Sequence, residues 1–242
     1  MKDITIIVIH VKGNMERKEF IQRQLDKLGF PYHYIFDGNI SDLTPNILHQ
    51  YFADNGRSDT MFGQFPRTSC AYKHLIAIQY IIEKKLEGAL IIEDDLRFYN
   101  NFKQLFTKSM EEYRNNYVDL PFIANYEESS LLLVPRSQQR KNIIFYPAHR
   151  DRFAGCYFIN RKAAQTIVNY INSDKIDTTI DRFFSILIDK HKLHYFWSHP
   201  CLACQCSCDG TMPTMIPTRP RPFKRLKWLY KRLYKHLLYF FR

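Results

Sequence analysis

Short apolar runs that alternate with segments of helical period constrain this chain more than any other feature. Residues 4–11, Ile-Thr-Ile-Ile-Val-Ile-His-Val, are rich in β-branched side chains, and residues 89–92, Ala-Leu-Ile-Ile, are apolar at every position. Runs of this kind suit strands covered on both faces. Between them, residues 16–28 place Phe20, Ile21, Gln24, Leu25 and Leu28 on one stripe, with Gly29 as the stop, and residues 70–85 space Ala71, Leu75, Ile78 and Ile82 in the same way. A second strand is expected over 31–36, turning at Asp37-Gly38. Further strands are expected over 119–125, 142–146, 153–160 and 193–197, and further helices over 102–113, 161–171 and 181–191. That order predicts an open α/β sheet with helices on both faces. The stretch 41–66 has weak periodicity and scattered Asn, Asp and Gly, and reads as a long, partly helical connection of the kind that often carries ligand contacts.

The run ending at Ile92 is followed at once by Glu93, Asp94 and Asp95. In open α/β sheets ligands bind beyond the carboxyl ends of the strands, where these acids fall. Three adjacent carboxylates repel one another. A solvated acidic turn tolerates that in water, whereas a hard divalent cation such as Mg²⁺ or Mn²⁺ removes the conflict with oxygen ligands. Alternate residues of an extended chain point the same way, so Glu93 and Asp95 are the candidate metal ligands. Asp94 then faces away or meets a ribose hydroxyl.

Charge divides the chain in two. Nine of the 35 Lys and Arg residues and none of the 24 acids lie after residue 216, so the body before it carries 26 basic against 24 acidic side chains. We therefore divide the chain into a catalytic body, 1–212, and a Pro-rich linker with a basic tail, 213–242. In 223–242, Leu226, Leu229, Leu233, Leu237 and Phe240 recur every three or four residues. Lys224, Lys227, Lys231 and Lys235 occupy other positions, and Trp228 and several Tyr lie at the borders. A basic amphipathic helix with aromatic edges suits an anionic membrane surface. Docking on its own core and self-association are the competing uses. Nucleic acid is disfavoured, because the charge sits on one helix instead of lining a groove.

Residues 4–11 continue into Lys12-Gly-Asn without a cleavage-site pattern, so they read as a strand and not as a secretory signal. No stretch reaches the roughly 18–20 apolar residues that span a bilayer. The expected place is the cytoplasm, with the tail on the inner face of a bacterial inner membrane and the six cysteines reduced. Four of these, Cys201, Cys204, Cys206 and Cys208, crowd into eight residues. They could hold Zn²⁺, but their alternation also matches small apolar residues on one face of a strand, which is the favoured reading.

Several pieces, in order, resemble the bacterial lipooligosaccharide glycosyltransferases of family 25, which also include collagen-modifying galactosyltransferase domains. These are the first strand with Glu16-Arg17, Asp37-Gly38, Ser69-Cys70-Ala71-Tyr72-Lys73-His74, the strand ending Glu93-Asp94-Asp95, Gly155-Cys156-Tyr157-Phe158-Ile159-Asn160-Arg161, Asp181, and Pro200 with Gln205. The likeness runs over about 4–208. Ser69 stands where the family has Gly, and Lys73 where it has Ser. The resemblance implies a GT-A fold and inverting transfer of a sugar, commonly from UDP-galactose, to an oligosaccharide hydroxyl on a lipid-linked acceptor. It implies a UDP-sugar donor and a Mn²⁺ or Mg²⁺ ion. His10, Arg17, Asp37, Lys73, His74 and Asp94 become candidate donor contacts, with Lys73 either pairing with a diphosphate oxygen or marking a changed donor preference. Asp181 is the candidate base, and Asp177 and Asp151 are its substitutes. A plain acid in the first turn of a helix would equally explain Asp181, and a satisfied core histidine would explain His74. Another phosphate-handling metal enzyme, such as a nucleotidyltransferase, and a non-enzymatic membrane adaptor compete with this reading.

Overall fold

The computed structural model describes residues 4–216 and 222–242; residues 217–221, within the expected Pro-rich linker, lie outside the described residues, as do 1–3. In chain order the elements are β1 (Thr5–Ile9), α1 (Met15–Leu28), β2 (Tyr32–Ile35), α2 (Pro45–Tyr51), α3 (Pro66–Glu83), β3 (Gly88–Glu93), β4 (Leu96–Phe98), α4 (Phe102–Asn116) and β5 (Phe122–Asn125). They continue with β6 (Phe145–Pro147), β7 (Cys156–Asn160), α5 (Arg161–Ser173), α6 (Ile180–Asp189), β8 (His194–Ser198), β9 (Ala203–Gln205), α7 (Cys206–Asp209) and α8 (Lys224–Phe240).

Seven strands form one sheet in the order β2-β1-β3-β7-β5-β8-β6, and β4 pairs with β9 in a separate ribbon. β1 runs parallel to β2 and β3, and β5 parallel to β8, while β7 lies antiparallel between β3 and β5. The expected open α/β sheet with helices on both faces is the observed architecture. Strand alternation builds it. Ile7, Ile9, Ala89 and Ile91 point to the core formed with α2, α3, α5 and α6. Ile6, Val8, Leu90 and Ile92 point to the core formed with α1 and α4.

Helix α3 starts at Pro66, four residues before the expected start, because proline is accommodated in the first turn and has no N–H to leave unpaired. Its residues Leu75, Ile78 and Ile81 are essentially fully buried, and burial of such side chains contributes about 1.5–3 kcal/mol each. They fix the C-terminal half of α3 against one face of the sheet. Several expected strands are shorter than their apolar runs. The 142–146 strand begins only at Phe145, after Asn142 takes a positive φ of 65°.

The cysteine run departs from its expected form. It is not one strand: β9 ends at Gln205, and Cys206 opens the helical turn α7. Cys204 and Cys206 are buried, and Cys201 and Cys208 half-buried. Among the described residues these four do not gather into a metal-binding group. Burial pushes all four thiols up, Cys204 to about 12.

Candidate active site

The carboxyl ends of β1 and β3, the start of α3 and the start of α6 enclose a cleft of about 690 Å³, lined among others by Arg17, Cys70, Lys73, Glu93, Asp95 and Asp181. The three consecutive acids meet three different environments there. Glu93, the most exposed, accepts a hydrogen bond on Oε2 from Gln205 Nε2 at 2.8 Å. Asp94 is buried, with Oδ2 2.8 Å from His10 Nδ1 and Oδ1 accepting from Arg17 Nη1 at 2.8 Å. Asp95 accepts the Ser207 N–H on Oδ2 at 3.0 Å, while its backbone carbonyl accepts the Cys206 N–H at 2.8 Å. The start of α7 thus grips Asp95 as a helix start grips a capping acid. The other oxygen, Asp95 Oδ1, is buried without a partner. Burial first, then Glu93, pushes the Asp95 carboxyl up to about 6, against the opposing pull of Arg17.

Arg17 is the cation that makes this cluster tolerable. Its Nη2 lies 3.7 Å from Asp95 Oδ2 and donates to the Pro213 carbonyl at 2.6 Å. Burial works against its charge, but Asp95 and Asp94 outweigh that and raise its pKa. His10 is buried edge-on to Tyr34 and Phe36. Its contact with the cluster is through Asp94.

Lys73 and Asp37 meet through the backbone. Lys73 Nζ donates to the carbonyls of Phe36 at 3.0 Å and Asp37 at 2.8 Å. It bridges α3 to the turn after β2, and burial lowers its pKa to about 8. Asp37 is exposed, and its link to the site is that carbonyl. Gly38 is needed there: φ is +84°, and a Cβ would lie 3.0 Å from both Ile76 Cδ1 and Tyr72 Cδ1.

His74 is fully buried. Its Nδ1 is 3.0 Å from the Tyr157 hydroxyl, and its Nε2 lies 3.6 Å from Glu93 Oε1 without a hydrogen bond. Cys70, one turn earlier on α3, faces the cleft half-buried. Burial, followed by Glu93, Asp181, Asp95 and Asp94, holds its thiol well above the ordinary range.

Asp181 occupies the first turn of α6, as expected, and lines the same cleft. Asp151 lies outside that lining and accepts from Ser185 Oγ; burial and the charge of Asp181 push it up to about 6. Asp177 is exposed, and its backbone carbonyl accepts from Asn55 Nδ2 at 3.2 Å. Of the three acids considered as base, Asp181 is the one that lines the same cleft as the carboxylate cluster.

Sequence reading assigned no task to Glu127 or Tyr157, and matched Gln205 without giving it one. Glu127 is buried behind the cluster, accepts the Gly155 N–H at 2.8 Å, and is pushed well up by burial. Gly155 leaves room for both neighbours: a Cβ there would lie 2.6 Å from Gln205 Cδ and 2.8 Å from Glu127 Oε2. These contacts join residues 28 to 112 positions apart, so only the i, i+4 spacing of Cys70 and His74 was available as a signal.

The tail is helical over α8, as expected. It meets the body through polar and aromatic contacts: Arg232 Nε donates to Glu128 Oε1 at 2.7 Å, His236 Nε2 lies 2.6 Å from the same oxygen, and the Arg136 guanidinium lies over the Phe240 ring at 4.1 Å. Leu226, Leu233 and Phe240 remain more than half exposed. No described helix is long and apolar enough to cross a membrane.

Residues 3–184 match the family described as Glycosyltransferase family 25 (LPS biosynthesis protein). The chain is 26% identical over 122 residues to procollagen galactosyltransferase 2 of Mus musculus, covering 50% of this chain and 19% of that protein. It is 25% identical over 148 residues to procollagen galactosyltransferase 1 of Danio rerio, covering 60% and 24%. The chain therefore spans about a fifth to a quarter of these relatives' length. A solved glycosyltransferase involved in glycosylation of the major capsid of PBCV-1 is similar at 10% identity and TM-score 0.45, covering 97% of this chain and 99% of that one. Mouse xyloside xylosyltransferase 1 is similar at 15% identity and TM-score 0.38, covering 79% and 70%.

Proposed function

The chain belongs to glycosyltransferase family 25, and from that premise we propose that it moves galactose, with inversion, from UDP-galactose onto a hydroxyl of a lipooligosaccharide or lipopolysaccharide acceptor. The observation that carries the reading is that Asp181 lines the same cleft at the strand ends as Glu93 and Asp95. Galactose is supported by the two galactosyltransferase relatives, and the acceptor class by the family's description.

Direct displacement needs a base at the acceptor hydroxyl and accommodation of the departing diphosphate. Asp181 takes the hydroxyl proton as that oxygen bonds to the anomeric carbon, and the bond from that carbon to UDP breaks with its electrons leaving on the diphosphate. Arg17 and Lys73 bring positive charge to the lining. The residues present also fit a divalent cation. Asp95 Oδ1 is buried without a partner, and Glu93 is held by Gln205 through one oxygen only. Glu93 and Asp95 would hold the ion, which neutralises diphosphate charge when bound. The exposed apolar side of α8, flanked by Lys224, Lys227, Lys231 and Lys235, supports attachment to an anionic membrane beside a lipid-linked acceptor, at the cytoplasmic face of a bacterial inner membrane.

The experiment is turnover of a panel of UDP-sugars by the full chain with Mn²⁺ and a galactose-accepting oligosaccharide, scored by UDP release and by the mass of the glycosylated product. UDP-galactose should be turned over, and Asp181→Asn should lower product formation by about 10²–10⁴-fold. Formation of a nucleotide sugar from sugar phosphate and nucleoside triphosphate, with no transfer, would instead place the chain among nucleotidyltransferases.

A further inference from the structure

We propose that Cys70, His74 and Glu93 form a binding site for a borderline divalent cation such as Zn²⁺, with an open coordination position toward the cleft. One ligand atom from each lies within 4.8 Å of the others. Two come from successive turns of α3 and the third from the end of β3, so rigid elements carry all three. Three protein ligands and a free position are the pattern of zinc sites that act on substrates.

Independent features point to a ligand. His74 is completely buried, yet its Nε2 has no hydrogen-bond partner. The 3.6 Å gap to Glu93 Oε1 is too long for a hydrogen bond. Tyr157 sits 3.0 Å from the other ring nitrogen. When Nδ1–H donates to that hydroxyl, the Nε2 lone pair faces Cys70 and Glu93, which is how outer partners orient a metal-binding imidazole. Gln205 does the same for Glu93, occupying Oε2 and leaving Oε1 toward His74.

Charge favours the cation as well. The Cys70 thiol lines the same cleft as Glu93, Asp94, Asp95 and Asp181, so negative charge gathers around the site. Binding replaces that thiol proton by the metal and releases the proton to solvent. A thiolate and an imidazole select Zn²⁺ or Co²⁺ over Mg²⁺. The site thus differs from an all-oxygen pair of Glu93 and Asp95 in drawing two ligands from α3. Binding stands apart from the glycosyltransferase reading, and only its use in transfer rests on it.

The test is a titration of the reduced, metal-free full chain with Co²⁺, followed by Zn²⁺. The expected result is stoichiometric uptake with a thiolate-to-cobalt charge-transfer band, proton release on binding, and loss of the band when Zn²⁺ displaces Co²⁺. Cys70→Ser should lose the band and His74→Gln should weaken binding by about tenfold or more, while Asp95→Asn keeps both. Thermal unfolding of each metal-free variant establishes that it is folded. A band that survives Cys70→Ser, uptake without a band that requires Asp95, or no uptake by the folded chain would each overturn the site. UDP-galactose turnover is read separately. Transfer that persists in Cys70→Ser while no band forms in the parent removes the metal site and leaves the transferase reading. A band without any turnover does the reverse.

Discussion

Arg17 and Asp94 form a buried ion pair, Nη1 to Oδ1 at 2.8 Å, that joins the first helix to the end of the third strand. His10 completes the clasp from the other side of Asp94. Asp94 therefore serves to hold β1, α1 and β3 together at the floor of the cleft, and Arg17 balances the charge of its neighbour Asp95.

Removing that balance should be costly. Arg17→Leu leaves Asp94 and Asp95 buried without their cation, and loss of one member of such a pair costs about 3–5 kcal/mol. Arg17→Lys should recover part of it, since a single ammonium cannot reach Asp94, Asp95 and the Pro213 carbonyl together. Urea unfolding midpoints of the two variants measure this.

Asp181→Asn should lower transfer by about 10²–10⁴-fold, the usual worth of a positioned base, with donor affinity nearly unchanged. Asp151→Asn, outside the cleft lining, should leave turnover within a small factor of the parent. Single-turnover rates and equilibrium binding of UDP-galactose separate the two effects.

Gly155→Ala places a methyl group 2.6 Å from Gln205 Cδ. Overpacking of this kind costs about 1–3 kcal/mol, and it should displace Gln205 from Glu93. The expected outcome is a folded protein with a large fall in turnover, and Gln205→Ala should reproduce the fall without the loss of thermal stability.

The tail offers two tests. Leu229→Glu with Leu233→Glu should abolish sedimentation with vesicles containing phosphatidylglycerol, while far-ultraviolet circular dichroism and soluble-acceptor turnover stay unchanged. Binding to neutral vesicles should be much weaker than to anionic ones at low salt and should fall as salt rises.

Docking of α8 should also depend on pH. Burial opposes the charge on Glu128, but Arg232, Tyr99 and His236 outweigh it and hold its carboxyl below the ordinary value of 4.5. A depressed folded-state pKa gives stability that is present above the unfolded value and lost as pH falls through the folded one. Fluorescence of Trp228 should therefore report a stable docked helix at neutral pH and its release as pH falls through the depressed Glu128 range, below that of an ordinary carboxylate. Glu128→Gln should remove the transition, with the helix undocked at every pH.

The open sheet and the place of the acids in it were legible in the sequence, because runs such as 89–92 can be buried on both sides only inside a layered α/β domain. Ser69 through His74 and Asp181 were likewise read at helix starts; Asp181 is in the first turn of α6, while α3 starts earlier, at Pro66, and carries Ser69 to His74 in its first three turns. Periodicity is a local property, and each of these judgements needed only neighbours within a few residues.

The division of labour among Glu93, Asp94 and Asp95 was not local. Sequence alone left them as three similar acids after an apolar strand, whose alternation set Asp94 apart. Tertiary structure sent Asp94 to Arg17 and His10, Asp95 to the start of α7, and Glu93 to Gln205 and the open cleft. It also brought Cys70 and His74 up against Glu93. The hydrogen-bonding partners of the three acids lie 77 to 112 residues away, so the chain's own letters determined which elements form and which side each buries. Only the folding of β1, α3, β3 and α7 to one edge of the sheet decided which charge each carboxylate meets.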